Sequence, residues 1–130
     1  MENILRWVFS SLTIMCVYLF GGLDNALISL LVFFLLDYIT GMIKAYKKKK
    51  LNSKIGVYGI LKKLGMLCMV AVGSVIDHLT GDTGFIRTSI IYYLVANEGL
   101  SIVENLGEID ILVPEFLKDK LEQLSKKEGE

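Results

Sequence analysis

The chain has 130 residues, of which 53% are hydrophobic and 22% charged, and its formal net charge is zero. This apolar share exceeds that of an ordinary soluble domain. Long apolar runs without alternation of apolar and polar residues also argue against a β-protein. The two cysteines and the single histidine are too few to predict a disulfide framework or a metal site.

Four mostly apolar segments predict an all-α integral membrane protein with three to four short transmembrane helices, four being favoured. A helix needs roughly 20 apolar residues to cross the hydrocarbon core. Phe20-Gly21-Gly22 is a poor cleavage site, so we expect a retained first helix rather than a signal peptide. With three spans, helix one would lie in the interface or form one long bent element with helix two. The predicted helices cover Ile4–Phe20, Ala26–Tyr46, Tyr58–Ile76 and Phe85–Asn105.

The chain therefore divides into four predicted parts, two of which are membrane-spanning. Residues 1–46 form a transmembrane helical hairpin, and residues 47–57 form a basic cytoplasmic loop. Residues 58–105 form a second transmembrane hairpin, and residues 106–130 form a cytoplasmic linker with an amphipathic C-terminal helix.

The C-terminal helix is predicted from a stripe of leucines that follows the only proline. Leu117, Leu121 and Leu124 recur at helical spacing, and Pro114 suits the first position of a helix. The helix is either solvated and docked on the membrane face or on a neighbour, or it serves oligomerisation or regulation.

Lysines are concentrated between the second and third segments. Eight lysines between residues 44 and 63 are interrupted by no acid, whereas the stretch from Glu104 to Glu130 has eight acids and four lysines. Short basic loops stay in the cytoplasm, so we expect this loop and both termini on the cytoplasmic side. We interpret this segregation as a topology signal and not as affinity for nucleic acid, although the lysines could also contact anionic lipid. The candidates for these two roles are Lys44, Lys47, Lys48, Lys49, Lys50, Lys62 and Lys63.

A first polar group lies within helix two. Asp37, Thr40, Gly41 and Lys44 recur at i, i+3, i+4 and i+7, on one helix face. A carboxylate inside a span costs roughly 2.5–3.5 kcal/mol on insertion scales unless it pairs, contacts water or takes up a proton. Asp37 could make a polar contact to another helix, with Lys63 or its neighbour Lys62, could line a pore, or could lie partly wet near the interface.

A second polar group lies in helix four, and it is our main candidate for a pore-lining or subunit-contact surface. Such groups cannot all face lipid, so they must line water or bond to other helices. Packing against copies of the same chain would bury them, which predicts a homo-oligomer. The alternative is that helix four ends near Glu98 and that the polar residues after it are exposed to water. The group consists of Asn97, Glu98, Ser101, Glu104 and Asn105.

No pattern in the sequence predicts an enzyme. We find no phosphate-binding loop and no serine or cysteine with a positioned histidine partner. We therefore assign no catalytic residue, no cofactor and no metal ligand.

The sequence resembles the phage holins of the clostridial toxin-secretion and phage-lysis type over about residues 25–125. The motifs that carry this resemblance are Leu36-Asp37-Tyr38-Ile39-Thr40-Gly41, Leu51-Asn52-Ser53-Lys54-Ile55-Gly56, Lys62-Lys63 and Asn97-Glu98-Gly99-Leu100-Ser101-Ile102-Val103-Glu104-Asn105. The resemblance implies a multi-pass protein of the bacterial cytoplasmic membrane that forms homo-oligomers. It also implies pores or lesions that release an endolysin or a toxin as cargo and lead to lysis.

Two other functions remain open from the residues. A small four-helix transporter would also carry a carboxylate within a span. A membrane scaffold subunit would bind a partner protein through the C-terminal helix.

Overall fold

A computed structural model describes residues 1–129 of the chain, with side chains through Lys126. Glu130, the last residue of the predicted C-terminal part, lies outside the described residues. The all-α fold class is confirmed, because the described residues form five helices and no strand. The helices are α1 (Glu2–Phe20), α2 (Asn25–Lys47), α3 (Ser53–Thr80), α4 (Phe85–Glu108) and α5 (Glu115–Gly129).

Three of the described helices, α1, α2 and α3, are long and apolar enough to cross a membrane. α4 is not among them, and it carries Arg87, Asn97 and Glu98 along its length. The predicted range of three to four spans therefore holds, with α4 as the helix on which the number depends.

The helix ends follow from local capping chemistry. α1 ends at Gly21 and α3 at Gly81, both in the left-handed conformation that glycine adopts without strain. Asp24 accepts a hydrogen bond from the Leu27 N–H at the start of α2, and Asn52 does the same for the Ile55 N–H at the start of α3.

α3 begins five residues earlier than predicted, at Ser53 instead of Tyr58. Gly56 disfavours a helix interior by its backbone freedom, but this glycine is buried where α3 passes α2. A methyl group added there would lie 3.2 Å from the Tyr38 hydroxyl. The absent side chain therefore allows close packing within a helix that continues, and the connection between α2 and α3 shortens to residues 48–52.

α2, α3 and α4 pack around one small apolar core. Its buried members are Leu27, Leu30, Phe34, Val70, Ile91 and Leu94. α2 and α4 run in the same direction, because Asp24 contacts Arg87 at one end and Thr40 contacts Asn105 towards the other. α3 runs opposite to both.

α1 stands at the edge of this bundle and has no buried residue. It contacts α3 through its C-terminal end, where Ser74 donates a hydrogen bond to the Tyr18 carbonyl at 2.9 Å. An apolar cleft of about 560 Å³ separates it from α2, and Phe9, Cys16 and Leu31 are among the lining residues. This surface is suited to lipid or to another protein.

Candidate functional site: a polar cluster between three helices

Lys63 joins α3 to both α2 and α4 through two carboxylates. Its Nζ lies 2.7 Å from Asp37 Oδ2 and 2.6 Å from Glu98 Oε2. The ammonium group also lies 5.1 Å from the centre of the Phe34 ring. From the sequence, Lys63 was a candidate for topology or anionic-lipid contact and one possible partner of Asp37. In the structure it turns inwards, because two carboxylates lie within its reach.

Asn105 and Thr40 extend this cluster towards the lysine-rich end. Asn105 Nδ2 donates to Asp37 Oδ1 at 3.2 Å and to Thr40 Oγ1 at 3.0 Å. Thr40 in turn donates to the Leu36 carbonyl at 2.8 Å. We call Asp37, Thr40, Lys63, Glu98 and Asn105 the polar cluster.

The polar cluster is largely withdrawn from solvent, and Glu98 is 3% exposed. Its two carboxylates face one ammonium group, so the cluster has a formal charge of −1 when all three are ionised. Among the described side chains, no buried nitrogen or oxygen lacks a hydrogen-bond partner. Glu98 and Asn105, which the sequence indicated would need other copies of the chain, thus find partners within one copy. The inter-helix contact predicted as one possibility for Asp37 is present.

The other candidate residues lie outside the polar cluster. Gly41 faces Asn105, since a methyl group added to it would lie 3.6 Å from Asn105 Nδ2. Asn97 and Ser101 are half-buried. Glu104 is exposed and lines a cleft with Lys44 at the lysine-rich end.

The lysine-rich end is tied to the end of α4 by two exposed ion pairs. Lys47 pairs with Asp110, and Lys48 pairs with Glu108 at 2.6 Å. The Lys48 hydrogen bond lowers the pKa of the Glu108 carboxyl. Exposed pairs of this kind contribute little stability. Lys49, Lys50 and Lys62 are exposed and are available to water or lipid headgroups.

Arg87 forms a second polar contact site, at the opposite end of the bundle, that the sequence analysis did not identify. Its guanidinium makes two hydrogen bonds to Asp24, at 2.7 and 3.0 Å, and others to the Phe20 and Gly22 carbonyls. Arg87 thus provides hydrogen-bond donors for carbonyl groups at the C-terminal end of α1, and it binds Asp24, the N-cap residue of α2. The hydrogen bonds from Arg87 lower the pKa of the Asp24 carboxyl.

Asp77 completes this arrangement from α3. Its two carboxylate oxygens accept hydrogen bonds from the Ile86 and Arg87 N–H groups, at 3.1 and 2.9 Å. Gly84 supplies no side-chain cap to α4, so Asp77 takes that role from another helix. We call Arg87, Asp24 and Asp77 the arginine joint. An arginine at the start of an apolar segment, with single aspartates in two nearby turns, was the available signal.

His78 lies beside the arginine joint and stacks on Tyr18, with ring centroids 4.3 Å apart. Its Nε2 is 2.9 Å from the Tyr18 carbonyl oxygen, so His78 makes a polar contact with the backbone near the C-terminal end of α1. Within the described part of the chain, no three His, Cys, Asp or Glu side chains are grouped closely enough to hold a metal ion.

Comparisons with known proteins give a consistent result. Residues 14–126 match the bacteriophage holin family. A probable holin of Bacillus phage phi105 is 38% identical over 87% of this chain and 83% of its own length. A 14.9 kDa protein encoded in the nagH 3′ region of Clostridium perfringens is 44% identical over 98% and 99% of the two chains. The YqxH protein of Bacillus subtilis is 39% identical over 89% and 82%. No solved structure shows a significant match.

Proposed function

The chain belongs to the bacteriophage holin family, and from this we propose that its copies assemble in the bacterial cytoplasmic membrane and open lesions. The lesions would release an endolysin or a toxin and lead to lysis. Family membership indicates a membrane protein without enzymatic activity. The resemblance noted in the sequence is therefore confirmed at the level of the family.

The position of α4 is the observation that supports assembly. α4 lies beside α2 from Arg87 to Asn105, so it occupies the same depth as a helix suited to cross the membrane. Its own composition does not suit lipid. α5 covers part of the side of α4 that α2 and α3 leave open, and the exposed face of α5 is itself charged, so this side of the bundle must face water or another copy of the chain.

The candidate residues of α4 divide between two proposed roles. Glu98 and Asn105, together with Asp37 and Thr40, hold the three helices of one subunit together. Gly41 leaves room for the Asn105 side chain. Asn97, Ser101 and Glu104 remain candidates for subunit contact or for lining a lesion. We further propose that the lysine-rich loop and the N-terminus lie in the cytoplasm.

Co-expression with an endolysin tests the proposed function. Bacteria that produce this chain together with a cytoplasmic endolysin should lyse abruptly, whereas the endolysin alone should leave culture turbidity unaffected. Continued growth, with the chain shown in the membrane fraction, would contradict a holin function. A transporter or a scaffold subunit would give that second result.

A further inference from the structure

α5 packs along α4, and its Leu124 approaches the start of α2, at the depth of the membrane spans. Leu121 reaches the middle of the bundle, beside Gly99 and Phe33. Leu124 lines a cavity with Ala26 and Tyr92, near the arginine-joint end. α5 therefore extends from the lysine-rich end towards the opposite end and does not remain at one surface.

The contact between α5 and α4 depends on a glycine. A methyl group at Gly99 would lie 2.6 Å from Leu121 Cδ2 and 3.1 Å from Phe33 Cε2. Real side chains do not pack so closely, so the absent side chain makes room for Leu121. α5 is thus seated in a groove whose shape fits it.

The outward face of α5 is charged. Exposed charges at hydrocarbon depth are costly against lipid, so this face cannot contact acyl chains. The large exposed side chains of α1, α2 and α3 are predominantly apolar, as in Trp7, Leu35 and Leu61. One chain therefore has a lipid-compatible side and a water-requiring side at the same depth. The charged residues of the outward face are Glu115, Lys118, Asp119, Lys120, Glu122 and Lys126.

We propose that α5 stays docked on α4 in the assembled membrane form and that its charged face lines the water-filled interior of the lesion. α1, α2 and α3 face lipid or neighbouring copies of the chain. This inference rests on the proposed function, because it assigns a lining element to the lesion. It differs from the sequence-based expectations of a cytoplasmic C-terminus and of a solvated helix docked on the membrane face or on a neighbour.

Cross-linking of purified full-length chain in dye-filled phosphatidylethanolamine–phosphatidylglycerol vesicles tests this position of α5. In a background of Cys16→Ser and Cys68→Ser, the pair Ala26→Cys and Leu124→Cys should be joined by a short bis-maleimide. The cross-linked protein should release dye as fast as the untreated protein. Leu31→Cys with Leu124→Cys is the matched control and should not cross-link within one chain, because Leu31 lines the cleft on the α1 side.

Thiol labelling in the same vesicles tests which face meets water. The Glu122→Cys thiol should react with a charged maleimide, and the Leu35→Cys thiol should be protected. The inference is overturned if the Ala26/Leu124 pair fails to cross-link in vesicles that release dye, if cross-linking stops release, or if the Glu122→Cys thiol is protected. If the wild-type chain releases no dye, the proposed function fails instead, while cross-linking and labelling still report the position of α5.

Discussion

Lys63 is the residue on which the polar cluster depends, because it is the single cation shared by two carboxylates. Removal of a carboxylate leaves one complete ion pair. Removal of the lysine leaves two buried negative charges close together. Loss of Lys63 should therefore destabilise the fold much more than loss of either carboxylate.

Lys63→Ala should lower the free energy of unfolding by about 3 kcal/mol, the usual cost of leaving a buried charge without its partner. Glu98→Gln should have a much smaller effect, because Asp37 still pairs with Lys63 and the formal charge of −1 is removed. Lys62→Ala, at the exposed neighbouring position, is the control. Unfolding in detergent followed by circular dichroism would measure all three. Equal losses for Lys63→Ala and Lys62→Ala would contradict the shared-cation arrangement.

The pairing of Asp24 with Arg87 predicts a loss of stability in acid. The pKa of Asp24 is lowered from 3.8 in the folded chain, so its stabilising contribution is present above that value and is lost as pH falls through the lowered pKa. Half of the Asp24 side chain is exposed, so this contribution is on the order of 1 kcal/mol.

Asp24→Asn keeps a good N-cap residue but removes the charge. Wild type should therefore be more stable than this variant at neutral pH, and the difference should shrink below about pH 4. A difference in unfolding free energy that is constant from pH 7 to pH 3 would exclude the pairing as its cause.

At the residue scale, the sequence indicated Asp37 as a carboxylate within a span and Lys63 or Lys62 as one possible partner, but not the full set of contacts. Asp37 and Lys63 could be connected only on the condition that helix three packs beside helix two. Glu98 could not be assigned to the same lysine, since the rotation of α4 depends on the packing of Leu30, Ile91 and Leu94. Arg87 was overlooked because its partners are two backbone carbonyls and a turn residue.

At the scale of elements, α5 shows that an amphipathic pattern can predict a helix without indicating which helix it packs against. The leucine stripe predicted the helix, which the structure places at Glu115–Gly129. The stripe did not indicate that Leu121 would meet Gly99, because a glycine in α4 gives no apolar signal. The early start of α3 was missed for a related reason, since a glycine such as Gly56 disfavours a helix interior and gives no sign that it is a packing position.

Leu121→Ala should loosen α5 from its groove, because the side chain that fills the space at Gly99 is lost. Trypsin should then cut faster at Lys118 and Lys120, both exposed residues of α5. Leu117→Ala is the matched control, since Leu117 is 42% exposed and its loss removes less buried contact. Limited proteolysis in detergent, followed by mass spectrometry, would measure the rates. Identical rates for wild type and Leu121→Ala would show that this contact does not hold α5.

At the scale of the whole molecule, the two polar ends of the bundle predict its orientation. The lysine-rich connection should be cytoplasmic, and the α1–α2 and α3–α4 turns should lie on the opposite side. In the cysteine-free background, an impermeant maleimide added to intact spheroplasts should label Asp82→Cys. Lys50→Cys should be labelled only after permeabilisation. Expression must stay below the level at which growth slows, and the reverse labelling pattern would contradict the proposed orientation.

The arginine joint also bears on the order in which the protein is made. Arg87 follows its Asp24 partner by 63 residues, so the end of α1 and the start of α2 remain without this partner until the ribosome has delivered the fourth helix. During biogenesis, the first hairpin therefore enters the bilayer before this contact can form, and α4 secures it later. A nascent chain that stops before Arg87 lacks the latch altogether, which makes synthesis of the start of α4 a precondition for a closed bundle.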